Sequence, residues 1–192
     1  FRKDSPQLKQ EINAFLARYP EGSATRNTLL HRYLKSTRFV QNATNQAELE
    51  KFNRLVSLFR KYGAQYDMDF LLMMAQGYQE SRLDQSAQSH VGAIGVMQVM
   101  PTTGKELGVG NIHEVEPNIH AGVKYIRAIM DRYFASDSID ALNRTLLAFA
   151  AYNAGPGRVR QLRREAEKRG LNPNIWFGNV ERIASERIGR ET

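Results

Sequence analysis

Three stretches of this chain carry residue types that could do chemistry. The first is Tyr78-Gln79-Glu80-Ser81. Ahead of it runs Phe70-Leu71-Leu72-Met73-Met74-Ala75, whose composition predicts a buried helix with Asp67 or Asp69 as its N-cap. Behind it, Arg82, Asp84, Gln85 and Ser86 make a polar run that leaves the helix. Glu80 is therefore expected near the C-terminal end of a core helix. That end carries partial negative charge, which disfavours an ionised carboxylate, and partial burial acts in the same direction. A carboxyl that stays protonated near neutral pH is what a general acid requires. Read by itself, the stretch is more simply a surface glutamate at a frayed helix end.

The second stretch is Gly92-Ala93-Ile94-Gly95-Val96-Met97-Gln98-Val99-Met100-Pro101. Its glycines Gly92 and Gly95 allow positive φ and close backbone approach. Gln98 offers both a donor and an acceptor, which suits a sugar hydroxyl or an acetamido group, and Met97 offers a flexible apolar contact. An ordinary helix-to-helix connection has the same composition. The third stretch is Ala151-Tyr152-Asn153-Ala154-Gly155-Pro156-Gly157, where Gly155 and Pro156 stop an apolar helix sharply. A tyrosine hydroxyl there could bond a carboxyl or a substrate. It could equally be satisfied by water.

In this order, the three stretches resemble the catalytic domain of lytic transglycosylases of the glycoside hydrolase family 23 type, which shares its fold with goose-type lysozyme. The resemblance covers about Leu49 to Thr192. It implies an all-α, lysozyme-like domain in which Glu80 is the catalytic acid/base. It further implies that Ser81, Ser89, Met97, Gln98, Tyr152 and Asn153 contact the substrate or orient the carboxyl, and that no cofactor or metal takes part. The implied reaction cleaves the MurNAc–GlcNAc β-1,4 bond of peptidoglycan glycan strands. Glu80 protonates the glycosidic oxygen, then takes the proton of the muramoyl C6 hydroxyl, which closes a 1,6-anhydro ring. A hydrolytic lysozyme on the same substrate, or an idle glycan-binding module, would carry a similar cleft. Two departures stand out. Val96 replaces a usual leucine, and Glu191-Thr192 resembles the start of a motif whose tyrosine the chain does not reach, so an incomplete cleft floor is expected.

The opening Phe1-Arg2-Lys3-Asp4-Ser5-Pro6-Gln7-Leu8 resembles the tail of a bacterial solute-binding domain of the amino-acid-binding type. With the domain above, this combination resembles the membrane-bound lytic transglycosylase F group. It implies a periplasmic protein at the outer membrane, with the solute-binding domain as a regulator. The chain starts at Phe1 without a signal-peptide pattern, which reads as a mature or recombinant form.

Composition narrows the field without choosing within it. The 192 residues are 42% hydrophobic and 24% charged, as in a soluble globular protein, and no apolar run approaches a membrane span. The absence of cysteine excludes disulfides and thiolate metal sites. His31, His90, His113 and His120 show no metal-ligand spacing. His90 lies beside the glycine-rich loop, either lining the cleft or on the surface. A net charge of +7 suits an anionic partner, but no nucleic-acid motif accompanies it. The basic residues concentrate in Arg158, Arg160, Arg163, Arg164, Lys168 and Arg169, which form either a solvated helix face or an anion-binding one.

The elements that must position these residues are read as helices. A first begins at Ser5-Pro6, carries Leu8, Ile12, Phe15 and Tyr19, and ends at Pro20-Glu21-Gly22. A second runs from about Thr25, and the polar run 41–46 reads as a linker. The expected organisation is therefore an appendage over 1–45 and the lysozyme-like domain over 46–192. Within the latter, Leu49, Phe52, Val56 and Phe59 mark a helix ending near Gly63. Further helices are expected at Thr102–Leu107, from Pro117, over Ile139–Ala154, over the basic segment and from about Asn179. The only candidate for β structure is a small hairpin near Val91–Val99.

Overall fold

A computed structural model describes residues 6–18, 20 and 46–187 of the chain. The expected second helix from Thr25, the linker 41–46 except Gln46, most of the solute-binding-like opening and Glu191-Thr192 lie outside the described residues. Two compact units are distinguished, Phe1–Lys51 and Phe52–Thr192. In the first, helix α1 spans Pro6–Arg18, with proline at its first position, Ile12 half-buried and Leu16 exposed.

The helix order continues with α2 (Gln46–Gln65), α3 (Phe70–Ser81), α4 (Pro101–Leu107), α5 (Val115–Tyr133), α6 (Ala141–Ala154), α7 (Pro156–Lys168) and α8 (Glu181–Arg187). The all-α class holds, and no strand occurs among the described residues. The expected hairpin reduces to two isolated antiparallel bridges, Gln88 with Ile94 and Ile94 with Val99. Too few residues pair there to build a ladder, because side chains satisfy much of the loop backbone instead.

Local chemistry accounts for most helix ends. Asp69, not Asp67, caps α3, its carboxylate accepting from the Leu71 and Leu72 amides at 2.8 and 3.1 Å. Asp67 takes a left-handed φ of 52° in the preceding turn. Asp140 caps α6 through the Asn143 amide, so that helix starts after Ile139, which is buried beneath it. Helix α5 starts two residues before Pro117, which sits in the first turn, where its missing N–H has no helical partner to lose. Around Trp176–Val180 the chain turns irregularly, with Phe177 and Gly178 outside helical geometry, and α8 follows.

Phe59, Met73, Met97, Ile119, Val123 and Leu147 are wholly buried and lie at the centre of the second unit. Burial of each such side chain contributes about 1.5–3 kcal/mol. α5 and α6 pack together, and α6 lies against α7. The basic segment on α7 is partly committed internally. Arg163 donates to the Pro173 carbonyl at 2.8 Å, Arg169 pairs with Glu165 and Glu186, and Arg160 stands 5.8 Å from the Tyr133 ring centroid.

Two glycines let the helices close on the loop that follows α3. A Cβ at Gly77 of α3 would lie 3.1 Å from Met97 Sδ and 3.2 Å from Phe59 Cζ. A Cβ at Gly122 of α5 would lie 2.6 Å from both Cβ and Cγ of Met97. Those Met97 atoms are close to its backbone and cannot swing away. Gly122→Ala is therefore expected to destabilise the fold by about 1–3 kcal/mol, read as a lowered denaturant midpoint. An unchanged midpoint would show that the loop can yield at this point.

Candidate active site

Helix α3 brings Glu80 to its last turn, and tertiary contacts fix what surrounds it. The chain leaves α3 through two consecutive left-handed residues, Arg82 (φ 57°) and Leu83 (φ 58°). Leu83 is buried, which holds this unfavourable backbone in place. Glu80 is half-buried, and its Oε1 accepts a 2.6 Å hydrogen bond from Gln76 Nε2, one helical turn earlier. Burial pushes the Glu80 carboxyl above its ordinary range, and the Gln76 bond, which favours the carboxylate, works against that rise. No other carboxylate contributes to the shift. Asp84, four residues on, accepts from the Ser86 amide and hydroxyl at 2.9 and 2.7 Å in the turn after the helix.

The glycine-rich loop is held by three polar side chains. Asn118 of α5, fully buried, accepts from the Met97 amide at 2.8 Å and donates to the Ile94 and Ile112 carbonyls at 2.8 and 3.0 Å. Gln85 accepts from the Val96 amide and donates to the Ile112 and His113 carbonyls, each within 3.2 Å. Gly95 passes between these two side chains with φ 76°. A Cβ there would lie 2.6 Å from both amide nitrogens, so only glycine fits. Gly92 and Gly155, the other glycines expected to shape the site, also have positive φ, 89° and 83°. Ser81 supplies the third tie: its hydroxyl donates to the Val96 carbonyl at 2.9 Å and accepts from the Asp84 amide at 3.0 Å.

The expected site residues thus divide. Glu80, the Gly92–Met100 loop and Tyr152 come together. The Tyr152 hydroxyl donates to the Met97 carbonyl at 2.6 Å, and its ring tilts against Tyr125 at 5.5 Å between centroids. Burial, then the charge of Glu80, then Tyr125 push the Tyr152 hydroxyl strongly up, so it stays a neutral donor. Ser89 accepts from the Ala93 amide at 3.0 Å and shapes the turn before Gly92. Gln98, at a left-handed φ of 46°, donates to the Ala87 and Gly95 carbonyls. Asn153, in the last turn of α6, is exposed, and so is His90.

Two of the expected substrate contacts are engaged within the protein itself. Met97 was expected to line the cleft, but its side chain is wholly buried against Gly122 and Gly77, and only its carbonyl points to the site through Tyr152. Ser81 was expected to meet substrate; in the free protein its hydroxyl joins α3 to the loop, as those of Ser89 and Tyr152 and the Gln98 amide also bond within the protein. Residue spacing could not separate these roles, because the neighbour that takes each group lies on another element. Gln76, Gln85, Asn118 and Tyr125 were not anticipated. For Gln76 a signal exists, an amide four residues before the glutamate on an apolar helix. For Asn118 it is an amide inside the apolar stripe of α5. Among the described residues, no group of three or more His, Cys, Asp or Glu is placed to hold a metal ion.

This helical domain, with one half-buried carboxyl set against a glycine-rich loop, is of the lysozyme-like class, and the transglycosylase SLT domain model matches residues 57–175. The chain belongs to that family. It is similar to proteins named membrane-bound lytic murein transglycosylase F. That of Desulfosudis oleivorans is 33% identical over 184 residues, covering 91% of this chain and 39% of the relative. That of Pseudomonas fluorescens strain Pf-5 is 34% identical over 183 residues, covering 91% and 36%, and that of Shewanella woodyi is 31% identical over 179 residues, covering 91% and 36%. The chain thus spans under two-fifths of the length of these relatives.

Proposed function

We propose that the chain is a peptidoglycan lytic transglycosylase that cleaves the MurNAc–GlcNAc β-1,4 bond and leaves a 1,6-anhydro-muramoyl end. The observation that carries this reading is Glu80: a half-buried carboxyl at the end of α3, its proton affinity raised by burial, on the helix that packs against the glycine-rich loop. Retaining and inverting glycosidases ordinarily need two. In this reading one residue serves as acid and then as base. Glu80 gives its proton to the glycosidic oxygen as the C1–O bond breaks. It then takes the proton of the C6 hydroxyl as that oxygen bonds to C1, so no water is consumed. A muramoyl acetamido group at C2 can stabilise the cationic centre in between. Ser89, Gln98, Tyr152 and Asn153 are the polar contacts assigned to the glycan.

The relatives' printed names support a membrane-associated murein enzyme. The same proposal places the protein in the periplasm at the outer membrane, regulated by the solute-binding domain that its opening residues resemble. No helix among the described residues is long and apolar enough to cross a membrane. The test is mass spectrometry of the products released from purified peptidoglycan. Muropeptides lighter by one water than their reducing-end counterparts are expected. Reducing-end products would replace the reading by a hydrolytic lysozyme, and binding without release would replace it by an idle glycan-binding module.

A further inference from the structure

Gln76 is a buried polar side chain on an apolar helix, 6% exposed. Gln76 and Glu80 are four residues apart, so they share one face of α3. Gln79 and Ala75 turn away and are exposed. Gly77, the next residue, lets this part of α3 close on Met97 and Phe59. The result is a 2.6 Å bond from Gln76 Nε2 to Glu80 Oε1 in a place poorly reached by water. A buried amide has a large cost if left unpaired, so this bond fixes both side chains at once.

We propose that Gln76 is a positioning residue that holds the Glu80 carboxyl and favours its carboxylate form, so that one glutamate can return to the base role after acting as the acid. This rests on the reading of Glu80 as the acid/base of the site. The argument is one of balance. Burial alone would hold the proton on Glu80, which serves the first proton transfer and hinders the second. A donated hydrogen bond is stronger to the ionised form than to the neutral one and so restores the second. Among the described residues, the titratable group that interacts with this carboxyl from another element is Tyr152 of α6, with Tyr125 of α5 against its ring. Both are tyrosines that stay neutral here, so neither supplies a positive charge in place of the amide.

The test is a carboxyl-carbon NMR titration of Glu80 in the free protein, its signal assigned by its loss in Glu80→Gln. Gln76→Met keeps the length of the side chain and removes the donor. The Glu80 midpoint is expected to rise by about one unit, and the pH–rate profile to move to higher pH with it. Should Gln76→Met not fold, Gln76→Glu keeps the shape and a polar end. It is expected to give two coupled carboxyl steps, the later one above the wild-type midpoint. A Glu80 midpoint unchanged in the variant that folds, whatever the change in thermal stability, would overturn the proposal and leave Gln76 a packing residue. The titration needs no substrate. It therefore fails or succeeds separately from the proposed reaction, which stands or falls on the products and on the activity of Glu80→Gln.

Discussion

Glu80→Gln is expected to lower turnover of peptidoglycan by about 100- to 10,000-fold, the range for removing a general acid/base. The substitution keeps the shape of the side chain, and an amide oxygen at position 80 can still accept from Gln76. Binding of glycan strands should therefore persist while release of products falls. Full activity in this variant would remove Glu80 from the chemistry. The same variant has an expected stability signature with a definite sign. The folded protein raises the Glu80 pKa above its ordinary value of 4.5 by burial. The stability this residue contributes is then complete below that ordinary value and is lost as pH rises through the folded pKa. At neutral pH a half-buried carboxylate therefore works against the fold, and a neutral glutamine does not. Thermal denaturation should show Glu80→Gln more stable than wild type at pH 7, with the gap closing below about pH 4. A variant less stable at pH 7 than at pH 4, relative to wild type, would contradict the assigned direction of the shift.

Asn118→Leu is expected to cost about 2–4 kcal/mol, the largest stability effect of a single side chain at this site. The reasoning follows from what each partner retains. The Ile94 carbonyl keeps the Val99 amide at 3.0 Å, and the Ile112 carbonyl keeps Gln85. The Met97 amide has Asn118 as its acceptor at 2.8 Å, and leucine would leave this buried N–H without one. Loss of the other two bonds adds to that penalty. Because Met97 also supplies the carbonyl that anchors Tyr152, the loss should reach the site. The measurements are a denaturant melt and hydrogen exchange at the Met97 amide. Strong protection of that amide in the variant would show that another group takes the place of Asn118.

How much of this was legible in the sequence varies by element. The helices around Glu80 and Tyr152 were readable because their signals are local. Apolar residues recur with helical spacing, aspartates stand ahead of α3 and α6, and Gly155-Pro156 divides α6 from α7. The hairpin was over-read. A run of apolar residues between glycines suits a β-turn pair, and nothing within the run indicates that Asn118 and Gln85 would satisfy its backbone. Helix α5 began earlier than Pro117 because proline is compatible with the whole first turn, not its first position alone.

The sequence by itself determined the all-α class and the family, and it singled out Glu80 as the residue proposed to act as acid. Each rests on residue types at short spacing, and short-range geometry follows from helix and turn rules. Tertiary structure alone decided which of the motif side chains are buried and which are taken up by other elements. Met97 and Gln98 are adjacent in the chain, yet the first is wholly buried against Gly122 and the second is half-buried at a left-handed turn. Ser81 is spent on Val96, fifteen residues away. The balance of burial against Gln76 at Glu80 was likewise decided by packing. Desolvation depends on everything that surrounds a carboxyl in space, which spacing along the chain does not reveal.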